Sequence, residues 1–123
     1  ISKPQKMQGA YNLRGKVNVI VAINNNIKNK YYLGFDFGYS FADKDKVKLT
    51  IDDNIFFEID TFAQTAWINS SENPNLDIKI IEAMKKGSVL IAEGTSKRGT
   101  ETKDTYSLVG FTKAFEKVKD VCN

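Results

Sequence analysis

The stretch Lys46-Val47-Lys48-Leu49-Thr50-Ile51-Asp52-Asp53-Asn54-Ile55-Phe56-Phe57-Glu58-Ile59-Asp60 decides the fold class. Val47, Leu49 and Ile51 alternate with Lys46, Lys48 and Thr50, the period-2 pattern of a strand with one buried face. Asp52-Asp53-Asn54 are turn formers, and the alternation resumes at Ile55, Phe57 and Ile59. The stretch therefore reads as a β-hairpin.

The same pattern extends in both directions. Upstream, Arg14-Gly15 opens the run Lys16 to Ile23, whose Val17, Val19, Val21 and Ile23 fall on one face. The polar segment Asn24 to Asn29 turns the chain into Lys30 to Gly38, where Tyr31, Leu33, Phe35 and Phe37 share a face. Gly34 and Gly38 there predict bulges or close backbone approach. Residues 42–45 form a charged turn, and a short strand is expected around Gln64 to Asn69. Then the period changes. Asn73 can cap and Pro74 suits a first helical position, Leu76, Ile80, Ala83 and Met84 share a helical face, and Gly87 follows Lys85-Lys86, so a helix is predicted over 74–86. Strand character returns at Ser88 to Glu93 and at Asp104 to Val109 as a second hairpin. Finally Phe111, Ala114, Phe115, Val118, Val121 and Cys122 mark an amphipathic helix over 111–121. About six or seven short strands with regular turn signals predict a mainly β fold, an antiparallel β-sandwich of two sheets with two short helices.

Composition bounds the chemistry. The chain has 123 residues, 41% hydrophobic and 27% charged, which corresponds to one globular domain over 1–123. It has no histidine and a single cysteine, Cys122, so no Ser-His-Asp triad, Cys-His pair or His/Cys zinc site can be assembled from it. No catalytic residue, metal or cofactor is expected. The net charge of +3 is spread along the chain beside Asp and Glu, and Arg14 and Arg98 are the only arginines. A nucleic-acid binder needs a continuous basic stripe, so nucleic acid is not an expected partner. The longest apolar stretch, Val17 to Ile23, is interrupted by Asn18 and is far short of the roughly 20 residues of a membrane helix. Ile1 is not an initiator methionine, and the chain is read as processed or truncated there.

Several candidate motifs are set against plainer readings. Gly94-Thr95-Ser96-Lys97-Arg98-Gly99-Thr100 superficially resembles a phosphate-binding loop, but Thr100 and Glu101 stand where lysine and a hydroxyl residue are required, and the loop joins two strands. It reads as a hairpin tip in which Gly94 and Gly99 take unusual dihedrals and hydroxyls satisfy turn amides. Asp52-Asp53 beside Glu58 and Asp60 lacks calcium-loop spacing and reads as a solvated turn. Trp67 is a core anchor or a ligand or partner contact. Asn69-Ser70-Ser71 is a formal glycosylation sequon. Cys122 is either a buried free thiol or a disulfide partner.

One set of residues carries a family resemblance. Thr65-Ala66-Trp67, Ile81-Glu82-Ala83-Met84-Lys85-Lys86-Gly87-Ser88, the Gly94 to Thr100 loop, Asp104-Thr105-Tyr106-Ser107-Leu108-Val109-Gly110-Phe111-Thr112 and the closing Cys122 together resemble the invasion-associated locus B family. The likeness runs upstream through Arg14-Gly15 to Ser2-Lys3-Pro4. It implies an exported protein of a Gram-negative bacterium, periplasmic or surface-associated, with an immunoglobulin-like β-sandwich. Relatives usually carry a Trp-containing strand and a cysteine before the Ser-x-Pro, so the resemblance implies that Cys122 pairs with a cysteine upstream of Ile1. It further implies that the domain over 1–123 lacks its first strand, whose open edge favours a homodimer.

The expected function is a non-enzymatic binding or accessory protein with an envelope or host partner, possessing an association with host invasion by family name. The expected contact residues are Lys97 and Arg98, with Trp67. The alternative is a small-molecule or glycan-binding protein that stacks ligands on Tyr31, Tyr32, Tyr39 or Trp67. An enzyme working through carboxylates and lysine alone is the third reading.

Overall fold

A computed structural model describes residues 4–9, 14–15, 17–23, 31–68 and 75–122, the side chains of Ile23, Tyr31, Lys119, Val121 and Cys122 excepted. Outside this set fall the expected turn over 24–29, the sequon Asn69-Ser70-Ser71, Asn73, Pro74, the Tyr31 ring and the Cys122 thiol. In chain order the elements are β1 (Lys6–Gln8), β2 (Asn18–Ile23), β3 (Tyr31–Asp36), β4 (Lys46–Ile51), β5 (Ile55–Phe62), β6 (Thr65–Trp67), α1 (Leu76–Lys86), β7 (Val89–Thr95), β8 (Glu101–Ser107) and α2 (Phe111–Cys122). The fold is mainly β with two short helices, as its periodicity predicts.

The eight strands among the described residues join one antiparallel sheet in the order β1-β8-β7-β4-β5-β6-β3-β2. Its central hairpin is the one read first: Val47 pairs with Ile59, Leu49 with Phe57 and Ile51 with Ile55. Four strands separate β8 from β3. In a flat sheet, at about 4.8 Å per strand, they would lie roughly 24 Å apart. Yet the rings of Phe35 on β3 and Tyr106 on β8 meet edge-on at 6.1 Å between centroids. The sheet is therefore curled, and its inner face closes on itself.

Leu33, Phe35, Val47, Leu49, Ile59, Leu90 and Tyr106 share one buried cluster inside the curl. Each fully buried aliphatic side chain contributes roughly 1.5–3 kcal/mol. The helices cover the open side, where Ile80 and Met84 of α1 enter the main core. Ile81 of α1 and Phe115 of α2 form a second small cluster with Val21 and Phe111 against it. The helices are clasped by Lys85, whose Nζ lies 4.5 Å above the Phe115 ring, while Thr112 Oγ1 donates to the Lys85 carbonyl at 3.2 Å.

Two boundary expectations need correction. Helix α1 begins at Leu76 rather than 74, and the residue before it, Asn75, sits in the left-handed region at φ 70° without a side-chain cap. The carbonyl of Asn75 instead accepts the Lys79 amide at 3.0 Å. Gly87 ends the helix in extended backbone, φ −93°. It is required for space, because a Cβ there would lie 2.5 Å from Ile51 Cγ2. Strand β8 runs over Glu101–Ser107, starting three residues before the expected Asp104. Its inward residues Thr102, Asp104 and Tyr106 include two with polar side chains that are fully buried, so it lacks the apolar alternation that marks a half-buried strand.

Candidate functional site

Beyond β3 the chain runs from Phe37 to Phe41 and continues the line of β4 between two hairpin turns. The alternating Phe37, Tyr39 and Phe41 point inward and pack edge to face, with centroids 5.1 to 5.7 Å apart. Gly94 lets them close on β7, since a Cβ there would lie 2.9 Å from Tyr39 Oη and 3.0 Å from both phenylalanine rings. On one side the Phe37 and Phe41 amides donate to the Gln64 and Ala63 carbonyls of the β5–β6 turn at 3.0 Å. On the other, Phe41 bridges Ser96 and the Lys97 amide donates to the Ser40 carbonyl at 2.7 Å. The two turns are thereby fixed about two strand spacings, roughly 10 Å, apart.

That rim carries a distinctive set of side chains. Phe62 ends β5 at 80% exposure. The next residue, Ala63, holds φ 56°, a conformation that costs a side chain of order 1 kcal/mol and persists here because Phe41 grips its carbonyl. Across the rim Lys97 and Arg98 are both exposed. Neither forms an ion pair among the described residues.

The β7–β8 tip between them is self-satisfied. Ser96 donates its amide to the Thr100 carbonyl at 2.8 Å and Gly99 its amide to the Ser96 carbonyl at 2.8 Å, while Ser96 Oγ accepts from the Thr100 amide at 3.1 Å. Gly99 supplies the expected left-handed dihedral, φ 90°. Gly94 does not: it lies in β7, and its role is the close approach of the aromatic strap. The Ser96, Gly99 and Thr100 amides are spent on the turn itself and the Lys97 amide on the strap, as a hairpin-tip reading requires, so these four are not left to cradle a phosphate.

Behind the rim lies a buried ion pair. Arg14 Nη1 and Nη2 grip both Asp104 oxygens at 2.8 and 2.7 Å, and Arg14 Nε donates to the Phe37 carbonyl at 2.7 Å. The guanidinium lies 5.1 Å over the Tyr39 ring, and the Tyr39 hydroxyl is 2.6 Å from Thr102 Oγ1. The Arg14-Gly15 backbone can reach this position because Gly15 and Gly38 face each other: the Gly15 amide donates to the Gly38 carbonyl at 2.9 Å, and a Cβ on Gly38 would sit 2.6 Å from the Gly15 carbonyl oxygen. Burial pushes the Tyr106 hydroxyl pKa well above the usual tyrosine value, the Asp104 charge adds to the rise, and Arg14 opposes it.

The expected contact residues separate. Lys97 and Arg98 stand on the rim, but Trp67 lies half-buried on the outer face of β6, where it pairs with Gly34. Its ring lies over that glycine, so that a Cβ on Gly34 would be 2.6 Å from it. Phe62 is the aromatic side chain that accompanies the two cations, and its signal was present in the sequence as an apolar residue on the Glu58-Asp60 polar face of β5. Of the proposed stacking platforms, Tyr39 is withdrawn into the core at 2% exposure and Tyr32 is 37% exposed. Two carboxylates of the Asp52 region are committed elsewhere: Asp52 accepts the Ser88 and Val89 amides at 2.9 and 3.0 Å, and Asp60 pairs with Lys46 at 2.6 Å.

A shallow groove of about 490 Å³ crosses the outer face, lined by Lys46, Lys48, Glu93 and Lys103 among others. Among the described residues no cluster of three or more potential metal ligands occurs, and no helix is long and apolar enough to cross a membrane. Comparison with curated proteins and with solved structures returns no match. The family model described as invasion associated locus B (IalB) protein matches residues 6–119, so the chain belongs to that family.

Proposed function

We propose that this protein is an exported accessory protein of the Gram-negative cell envelope, periplasmic or surface-associated, that acts by binding rather than by catalysis. Family membership supports an invasion-associated accessory role. The observation that carries the binding reading is the rim: two exposed cations without ion-pair partners among the described residues, Lys97 and Arg98, stand across the strap from an aromatic residue exposed to 80%. Exposing a phenylalanine to water costs roughly what its burial would return, about 1.5–3 kcal/mol. A partner that covers Phe62 recovers it. The lack of histidine and the engagement of Asp104, Asp52 and Asp60 with structural partners support binding over acid–base chemistry.

Pull-down from solubilised envelope fractions tests this reading. Wild-type protein retains an envelope component, and the Lys97→Ala/Arg98→Ala variant loses it while folding normally. Equal retention by both proteins removes the rim from the account. Fractionation of cells expressing the full gene product tests export, and a wholly cytoplasmic protein contradicts it.

A further inference from the structure

We propose that the rim docks on an anionic phospholipid surface, with Phe62 entering the interfacial layer and Lys97 and Arg98 resting among the headgroups. The inference rests on the envelope-binding reading and names its partner.

Three observations favour a lipid surface over a protein. First, the apolar element is a single ring on a hairpin turn, and Phe62, Lys97 and Arg98 line neither of two grooves among the described residues. One crosses the outer face over β4, β7 and β8; the other is lined by Val19, Met84, Leu90 and Phe111. A protein partner needs a complementary patch of about 800 Å² on each side. A fluid interface accepts one protruding ring without shape complementarity. Second, the charges fit. Lys97 and Arg98 are adjacent at the tip, exposed and free of ion pairs among the described residues. The neighbouring turn carries exposed Asp43 and Lys44 and half-buried Asp45, and Glu101 is exposed at the base of the tip, so the positive charge offered to the surface is the adjacent pair Lys97-Arg98. Third, the ring is held out rather than merely left out. The left-handed Ala63 is tied to Phe41, and the Lys97 amide to Ser40, so both turns project from one rigid strap. Little conformational entropy remains to be lost on docking.

Each Lys or Arg near an anionic surface strengthens binding about fivefold, and an inserted phenylalanine roughly tenfold or more. Attachment is accordingly weak and reversible. Vesicle flotation with the intact protein provides the test. Wild-type protein floats with phosphatidylglycerol vesicles at low salt, stays behind with phosphatidylcholine vesicles, and is released at 0.5 M salt, a value at which the Debye length falls to about 4 Å. Lys97→Ala/Arg98→Ala lowers partitioning about thirtyfold and Phe62→Ser about tenfold, with unchanged thermal melting showing that each variant is folded. Lack of flotation by the wild type, or flotation that neither variant alters, overturns the proposal. Rim-dependent capture of an envelope protein without vesicle flotation also overturns it, and leaves the envelope-binding reading standing.

Discussion

Arg14 and Asp104, 90 residues apart in sequence, form a two-pronged ion pair inside the curled sheet, with N–O distances of 2.8 and 2.7 Å. Their side chains are 11% and 1% exposed. The pair fastens the segment that precedes β2 onto β8, directly beneath the aromatic strap that carries the rim. Removing one partner leaves the other charge buried and uncompensated. Arg14→Ala and Asp104→Ala are each expected to lower stability by about 3–5 kcal/mol. The apolar replacement Arg14→Met/Asp104→Leu should cost less than either, because it strands no charge. Urea denaturation of the three variants checks this order.

Tyr106 makes stability fall at alkaline pH. Its folded-state pKa is raised by burial and by Asp104, so folded Tyr106 keeps its proton where an unfolded tyrosine, titrating near 10, loses it. The folded state then binds more protons than the unfolded state, and stability declines as pH rises through 10. The contribution is fully present below that value. Denaturation midpoints measured from pH 8 to 11 should decline less steeply in Tyr106→Phe than in the wild type, and equal slopes would contradict the assignment.

Gly34 is reserved for the Trp67 ring, which occupies the space a Cβ would need at 2.6 Å. Gly34→Ala is expected to cost about 1–3 kcal/mol through overpacking. Trp67→Ala opens the same space, so Gly34→Ala in that background should cost little or nothing. A double-mutant cycle measures the coupling, and additive effects would show that the ring yields freely.

The legible parts of the fold were those with local chemistry. Val47, Leu49 and Ile51 declared β4, and the three- and four-residue spacing of Leu76, Ile80, Ala83 and Met84 declared α1. The curl was not legible, since it rests on contacts such as Phe35 with Tyr106 between strands that never pair. The first residues of β8 carry no apolar alternation because Thr102 and Asp104 turn polar side chains to the core, where Tyr39 and Arg14, distant in sequence, satisfy them. Strand β1 has three exposed residues and no buried face to signal it. The site divides in the same way. Lys97 and Arg98 could be read from the hairpin tip, whereas the place of Phe62 across the rim from them depends on the Phe37 to Phe41 strap, and the place of Trp67 over Gly34 depends on a pairing between strands distant in sequence.

Phe62 and Val109 are both strongly exposed apolar residues, at 80% and 84%, and they lie at opposite ends of the curled sheet. Photo-crosslinking therefore isolates the central claim that the rim is the surface at work. A photoreactive phenylalanine analogue is placed at position 62 in one protein and at position 109 in another, and each is irradiated with isolated envelopes. Crosslinked envelope material from position 62 and little or none from position 109 is the predicted result. Equal yields, or adducts from position 109 alone, would contradict the account.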